Sequence, residues 1–172
     1  LLAETQSKAK HFQDADKSLR EALKLEGDLV PVQVSLARVS LELGKPEQAN
    51  SIGKELQKTH PELGLGFEIE ADVKMSAKAF AKAAELYGTA FSKVKTANLA
   101  LKLHRAYLLA GQQQASFEPL EQWLQEQPQD VSTRLVLATA YQKMGDVEKS
   151  AKHYLQILER QPENMIALNN LA

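Results

Sequence analysis

The residues able to do chemistry are few and scattered. The four histidines are His11, His60, His104 and His153. No two stand at a close metal-ligand spacing, and HExxH does not occur. Only His104 falls on a packing face, which points to a structural histidine hydrogen-bonded to a neighbouring helix rather than a ligand. Glu68 and Asp72, at i and i+4, share one helix face; a carboxylate pair can serve acid–base work, but solvated surface charge accounts for this one. Gly64 and Gly66 in ELGLGFEIE precede a helix yet lack the third glycine and the preceding strand of a phosphate loop. They read instead as a loose turn between units. Trp123 reads as packing rather than ligand stacking. Sets of Ser, His and Asp can be picked out, but nothing marks a nucleophile turn. The sequence therefore gives no catalytic residue, no metal ligand and no cofactor.

Composition narrows the function classes further. The chain has 172 residues, 44% apolar and 25% charged, enough to bury a core. Its net charge of −1 gives no electrostatic case for nucleic acid or for docking on an acidic membrane. Cysteine is absent, so disulfides, thiolate metal sites and cysteine nucleophiles fall away while the redox compartment stays open. No apolar run approaches the roughly 20 residues that span a bilayer. Direct membrane insertion by this segment is not expected.

The elements that must position these residues repeat. Tyr107 and Tyr141, Gly111 and Gly145, and Pro128 and Pro162 are each 34 residues apart. Gly44 and Pro61 fall onto Gly111 and Pro128 after a shift of 67, one residue short of two periods. The missing residue must lie around 64–96. Each unit reads as an apolar helix (30–43, 97–110, 131–144), a Gly turn, a second helix and a closing Pro. Within helices the apolar spacing is that of one face, as at Leu135, Leu137, Ala138 and Tyr141.

The two-helix repeat with small residues at fixed places resembles the tetratricopeptide repeat (TPR) family. Leu137, Ala138, Tyr141, Gly145, Tyr154 and Pro162 fall on signature positions, as do Leu103, Tyr107, Gly111, Leu120, Trp123 and Pro128. Leu36, Ala37, Gly44, Ala49 and Pro61 match in 30–63; Ala71, Ala83, Tyr87 and Ala90 match in the weaker 64–96 unit. The start carries Phe12, Ala15, Leu19 and Ala22 as a second helix would. The resemblance implies an all-α, right-handed α-solenoid of antiparallel helix pairs, a single array over 1–172 with about four full repeats. They are 30–63, 64–96, 97–130 and 131–164, with partial repeats at 1–29 and 165–172. His104, Ser150 and Gly53 depart from the family pattern and are expected to loosen packing locally.

Pro119 would break a helix started near Gln113, at a cost of roughly 3 kcal/mol. A start near 115–117 with Ser116 as N-cap, or a bend there, avoids this, because first-turn amides have no intrahelical partner.

In this family the first helices line a concave face that holds another protein. The matching positions, taken as not needed for the core, are Val34, Arg38, Leu41, Glu68, Asp72, Met75, Leu101, Arg105, Leu108, Leu135, Thr139, Gln142 and Asn169. Arg38, Asp72 and Arg105 alternate in sign among apolar neighbours, which suits a segment carrying both apolar anchors and charges. The family's clamp for chaperone C-terminal carboxylates needs Lys and Asn where this chain has Val34, Arg38, Leu101, Arg105, Leu135 and Thr139. A chaperone-tail function is therefore not expected.

A narrower resemblance lies in PELGLGFEIEADVKMSAKAFAKAAELYGTAF, NLALKLHRAYLLAGQ, EPLEQWLQEQPQD and NMIALNNLA. These are similar to TPR lipoproteins that accompany PEP-CTERM/exosortase systems in Gram-negative bacteria. That resemblance implies a protein-interaction scaffold in an envelope assembly for exopolysaccharide export and protein sorting. It would face the periplasm, anchored through an N-terminal segment that this chain, beginning at Leu1, is expected to lack. The alternatives are a cytosolic TPR adaptor, and a spacer or self-associating arm with Leu1, Leu2, Leu168 and Leu171 at unstacked ends.

Overall fold

The computed structural model describes residues 2–25 and 29–171, with side chains from Lys10 onward. Every element among them is helical: α1 (Leu2–Leu25), α2 (Val30–Glu42), α3 (Pro46–Thr59), α4 (Leu65–Ser76), α5 (Phe80–Lys93), α6 (Ala97–Leu109), α7 (Glu118–Glu126), α8 (Val131–Lys143), α9 (Val147–Leu158) and α10 (Met165–Leu171). They fall into two compact units, 1–94 and 95–172. Leu1 and the side chain of Leu2, expected at an unstacked end, lie outside the described residues.

The helices stop where the turn chemistry requires. Gly44, Gly111 and Gly145 hold φ of +68°, +74° and +80°, the left-handed geometry glycine adopts without Cβ strain. The same pair of hydrogen bonds closes each turn. At Gly44 its own amide donates to the Leu41 carbonyl at 3.0 Å and the Lys45 amide reaches back to Ser40 at 2.8 Å. In the unit without a turn glycine, Lys78 takes φ +58° and makes the same bonds to Met75 and, through Ala79, to Lys74. Lys78 is 34 residues after Gly44 and 33 before Gly111. The missing residue therefore falls between them. Helices α3 and α5 each span 14 residues, so the loss lies in the short Val94–Thr96 link before α6.

Caps start the later helices. Thr96, Asp130 and Asp146 each accept the backbone amide three residues on, all at 3.1 Å; such caps contribute about 1 kcal/mol each. Pro119 behaves as its chemistry demands. A 3-10 turn occupies Gln114–Ser116, and α7 begins only at Glu118, with Pro119 in its first turn. Ser116 is not the N-cap, however. Its hydroxyl donates to the Gln113 carbonyl at 2.7 Å, and Phe117 takes the cap position with no side-chain bond.

In unit 1–94 the core joins α2, α3 and α4 through Ala37, Ala49, Leu56, Ile69 and Val73. In unit 95–172, Ala138, Tyr154, Ile157 and Ala167 join α8, α9 and α10. The departures from the repeat pattern do not loosen packing. Gly53 lets α3 meet α4 backbone to backbone, with Gly66 opposite. Gly64 (φ +71°) lies against the Ala90 backbone, where a Cβ would come within 2.9 Å of its carbonyl oxygen. This turn is tight rather than loose. Buried Ser150 donates to the Ala138 carbonyl at 2.9 Å, so its polarity is satisfied within the helix pair. Leu171, expected at an unstacked face, packs against the α8–α10 core, whereas Leu168 is exposed.

Candidate functional site

The residues expected on the concave face separate into two environments, one per unit. In unit 1–94, Val34, Arg38 and Leu41 of α2 meet Glu68 and Asp72 of α4 across a cleft of about 20 Å³, room for little more than one water. Arg38 is exposed; Glu68 and Asp72 are half-buried. The Tyr87 hydroxyl donates to Asp72 Oδ1 from α5, so this carboxylate is already engaged inside the unit. Val34 and Leu41 pack on the core rather than standing apart from it. The physical reason is that α2 is apolar on most of its circumference, so the stripe assigned to a ligand also closes against α3 and α4. Met75 is half-buried on α4 and does not line the cleft.

Unit 95–172 holds a larger and drier groove, about 430 Å³, between α6, the 3-10 turn, α8 and α10. Its walls are Leu108, Phe117, Leu135, Val136, Ala140, Met144 and Ile166, with His104, Gln113, Thr139 and Lys143 supplying the polar atoms. Leu108, Leu135 and Thr139 were expected here. Leu135 also packs on the core. Leu101, Arg105, Gln142 and Asn169 do not line it. Gln142 accepts the Tyr154 hydroxyl at 3.1 Å, while Arg105 and Asn169 are exposed. The missed lining is Val136, Ala140 and Lys143 of α8, each one residue from Leu135, Thr139 or Gln142, and Met144 at its C-cap. One residue is about 100° of helix rotation, so the groove takes in Leu135 and Thr139 and widens to one side of the expected strip.

His104 forms part of the groove floor and is only 7% exposed. Its Nδ1 lies 2.7 Å from the Ser116 carbonyl oxygen, the structural role its position on α6 implies. An acceptor opposite Nδ1 requires the proton there. Burial pushes the imidazole below its ordinary value, and the bond to Ser116 offsets part of that shift. Behind the groove wall Tyr141 stacks on Phe117 with centroids 4.4 Å apart. Trp123 is half-buried, and its indole donates to Asp130 Oδ2 at 2.7 Å, tying α7 to the cap of α8. Among the described residues no group of three His, Asp or Glu is placed to hold a metal, and no helix is long and apolar enough to cross a membrane.

A Tetratricopeptide repeat family model matches residues 135–172. No curated protein sequence matches the chain. Solved structures with the same fold include MamA, 17% identical, covering 93% of this chain and 94% of that one, with a TM-score of 0.68. TTC0263, described as a thermophilic TPR protein in Thermus thermophilus, is 21% identical over 98% of this chain and 93% of its own, TM-score 0.67. YrrB, described as a TPR protein with an unusual peptide-binding site, is 11% identical over 91% of this chain and 81% of its own, TM-score 0.65. By sequence at 135–172 and by helical architecture through the described residues, this is a tetratricopeptide repeat fold.

Proposed function

We propose that the chain is a protein-interaction scaffold that holds an apolar-anchored segment of another protein in the groove between α6, α8 and α10. The observation that carries this reading is the groove itself. Leu108 and Met144 are 41% and 40% exposed, yet they face one apolar channel of about 430 Å³. Fully burying an apolar side chain contributes about 1.5–3 kcal/mol; covering what is left exposed of these two gives somewhat under half of that each, alongside the full gain for an apolar anchor of the ligand. Thr139, Gln113 and Lys143 can meet its backbone and a carboxylate. YrrB, a relative in fold, is described as having a peptide-binding site, which supports a peptide as the kind of ligand. The Arg38–Glu68–Asp72 cleft is a secondary, charge-reading contact in the same proposal. No convergent nucleophile, base and oxyanion donors accompany either site, so binding is the activity proposed.

The setting we infer, on the sequence resemblance alone, is a Gram-negative envelope assembly for exopolysaccharide export and protein sorting; a cytosolic adaptor is the alternative. A second reading, self-association, is favoured by exposed Met165, Ile166 and Leu168 on α10. Affinity capture from envelope and cytosol extracts tests all of these together. The bait proteins are the native array, Arg38→Glu/Arg105→Glu and Leu108→Asp/Met144→Asp. A partner kept by the native array and lost with the Leu108/Met144 pair supports the groove, and its compartment names the setting. Equal retention by all three baits sinks the groove; concentration-dependent dimers in light scattering favour self-association.

A further inference from the structure

Arg134 of α8 is only 7% exposed, and none of the ion pairs among the described residues includes it. Its Nη2 donates to the Pro128 carbonyl at 2.9 Å. Nη1 donates to Gln156 Oε1 and stands 3.3 Å from His153 Nδ1, and Nε has no partner at all. A guanidinium stays charged at any ordinary pH, and burying a charge without an opposite one is costly. Asp130 does not supply that partner. Its carboxylate is taken by the Trp123 indole, the Thr133 hydroxyl and the Thr133 amide. Burial, then the charge of Arg160, lowers the Arg134 pKa, while the charges of Asp130 and Glu159 act the other way without bonding to it.

Arg134 lines an open groove of about 640 Å³ between α7, α8 and α9, with Lys149, Lys152 and His153. The single carboxylate in that lining, Glu121, accepts the Tyr141 hydroxyl. Lys149 pairs with Asp146 at 3.3 Å and lies over the Tyr141 ring, and Lys152 enters none of the ion pairs among the described residues. Cationic groups thus outnumber the carboxylate in the lining. Leu124, 7% exposed, and fully buried Leu137 stand behind the wall, and the lysine stems give it apolar surface; Gln125 and Gln156 add amides suited to a peptide backbone.

We propose that this groove binds an acidic, partly apolar segment of a partner protein, its carboxylates received by Arg134, Lys149 and Lys152. The groove is far larger than one oxyanion, and its apolar walls and amides are wasted on a bare ion. It shares no lining residue with the groove between α6, α8 and α10, so the proposal stands or falls independently of the function proposed above. The probe is a fluorescein-labelled peptide of alternating Glu and Leu, titrated at low salt and followed by anisotropy. The expected result is saturable binding that weakens with salt and loosens about tenfold in Lys149→Glu/Lys152→Glu, both surface changes. Leu108→Asp/Met144→Asp should bind as the native chain does. The Arg134 Nε–H resonance should shift on titration of the native chain. Absence of saturable binding, or an unchanged Kd in the lysine variant, overturns the proposal. So does binding to phosphatidylglycerol vesicles but not to the peptide, which would make the groove a headgroup site.

Discussion

Gly53 of α3 and Gly66 of α4 meet backbone to backbone: a Cβ on Gly66 would fall 2.4 Å from the Gly53 carbonyl oxygen, and one on Gly53 would fall 3.0 Å from the Gly66 carbonyl oxygen. Backbone cannot yield as a flexible side chain can. Gly66→Ala should therefore cost about 3 kcal/mol, at the upper end of overpacking penalties, and Gly53→Ala less. Gly88, in the middle of α5, has nothing within 4 Å of the same position. Gly88→Ala should stabilise by about 0.5–1 kcal/mol through helix propensity. Denaturant midpoints of the three variants decide the matter; equal effects at Gly66 and Gly88 would remove the close approach.

Lys78 occupies the turn position that glycine fills elsewhere, at φ +58°. A non-glycine residue pays roughly 1–2 kcal/mol there, part of which glycine loses again in unfolded-chain entropy. Lys78→Gly should raise stability by about 1 kcal/mol, read by thermal and urea unfolding. A loss of stability would show that the lysine side chain, not the turn, governs this site.

Tyr141 joins two kinds of contact: its ring stacks on Phe117, and its hydroxyl donates to Glu121. Burial first, then the hydrogen bond to Glu121, pushes the phenol far above its ordinary value. Tyr141→Phe keeps the stack and should cost about 1–2 kcal/mol, because Glu121 loses its donor. In a double-mutant cycle with Glu121→Gln the effects should be non-additive; strict additivity would mean the bond contributes nothing.

His104 and His153 both hold pKa values lowered from 6.5, His104 by burial and His153 by burial and then Arg134. Well above pH 6.5 both are neutral in folded and unfolded chains, and their protonation takes nothing from stability. As pH drops below 6.5 the unfolded chain binds protons first, so stability falls until the folded pKa values are passed. Asp130 and Asp146, whose pKa values are lowered from 3.8, lose their contributions only at more acidic pH. A urea-unfolding series from pH 7.5 to 4.5 should show this decline, and His104→Gln/His153→Gln should flatten it. A native chain with no decline in that window would contradict the burial of both rings.

The sequence alone determined the elements. Gly44, Gly111 and Gly145 and the prolines mark ends that local backbone chemistry enforces, because positive φ and a missing amide act on the residue that has them. The 34-residue spacing gave the helix pairs for the same local reason, and Pro119 required either a late start of α7 or a bend there. The tertiary structure alone decided what those helices do to one another. That Gly53 faces Gly66, that Val34 and Leu135 belong to the core as well as to a surface, and that Arg134 is buried beside His153 all depend on helix rotation and approach. On α8 the groove keeps Leu135 and Thr139 of the expected strip and replaces Gln142 by Val136, Ala140 and Lys143, each one residue, about 100° of rotation, from an expected position. A repeat period fixes helix phase too coarsely to tell those faces apart, because it records where a side chain recurs along the chain and not which neighbour it meets.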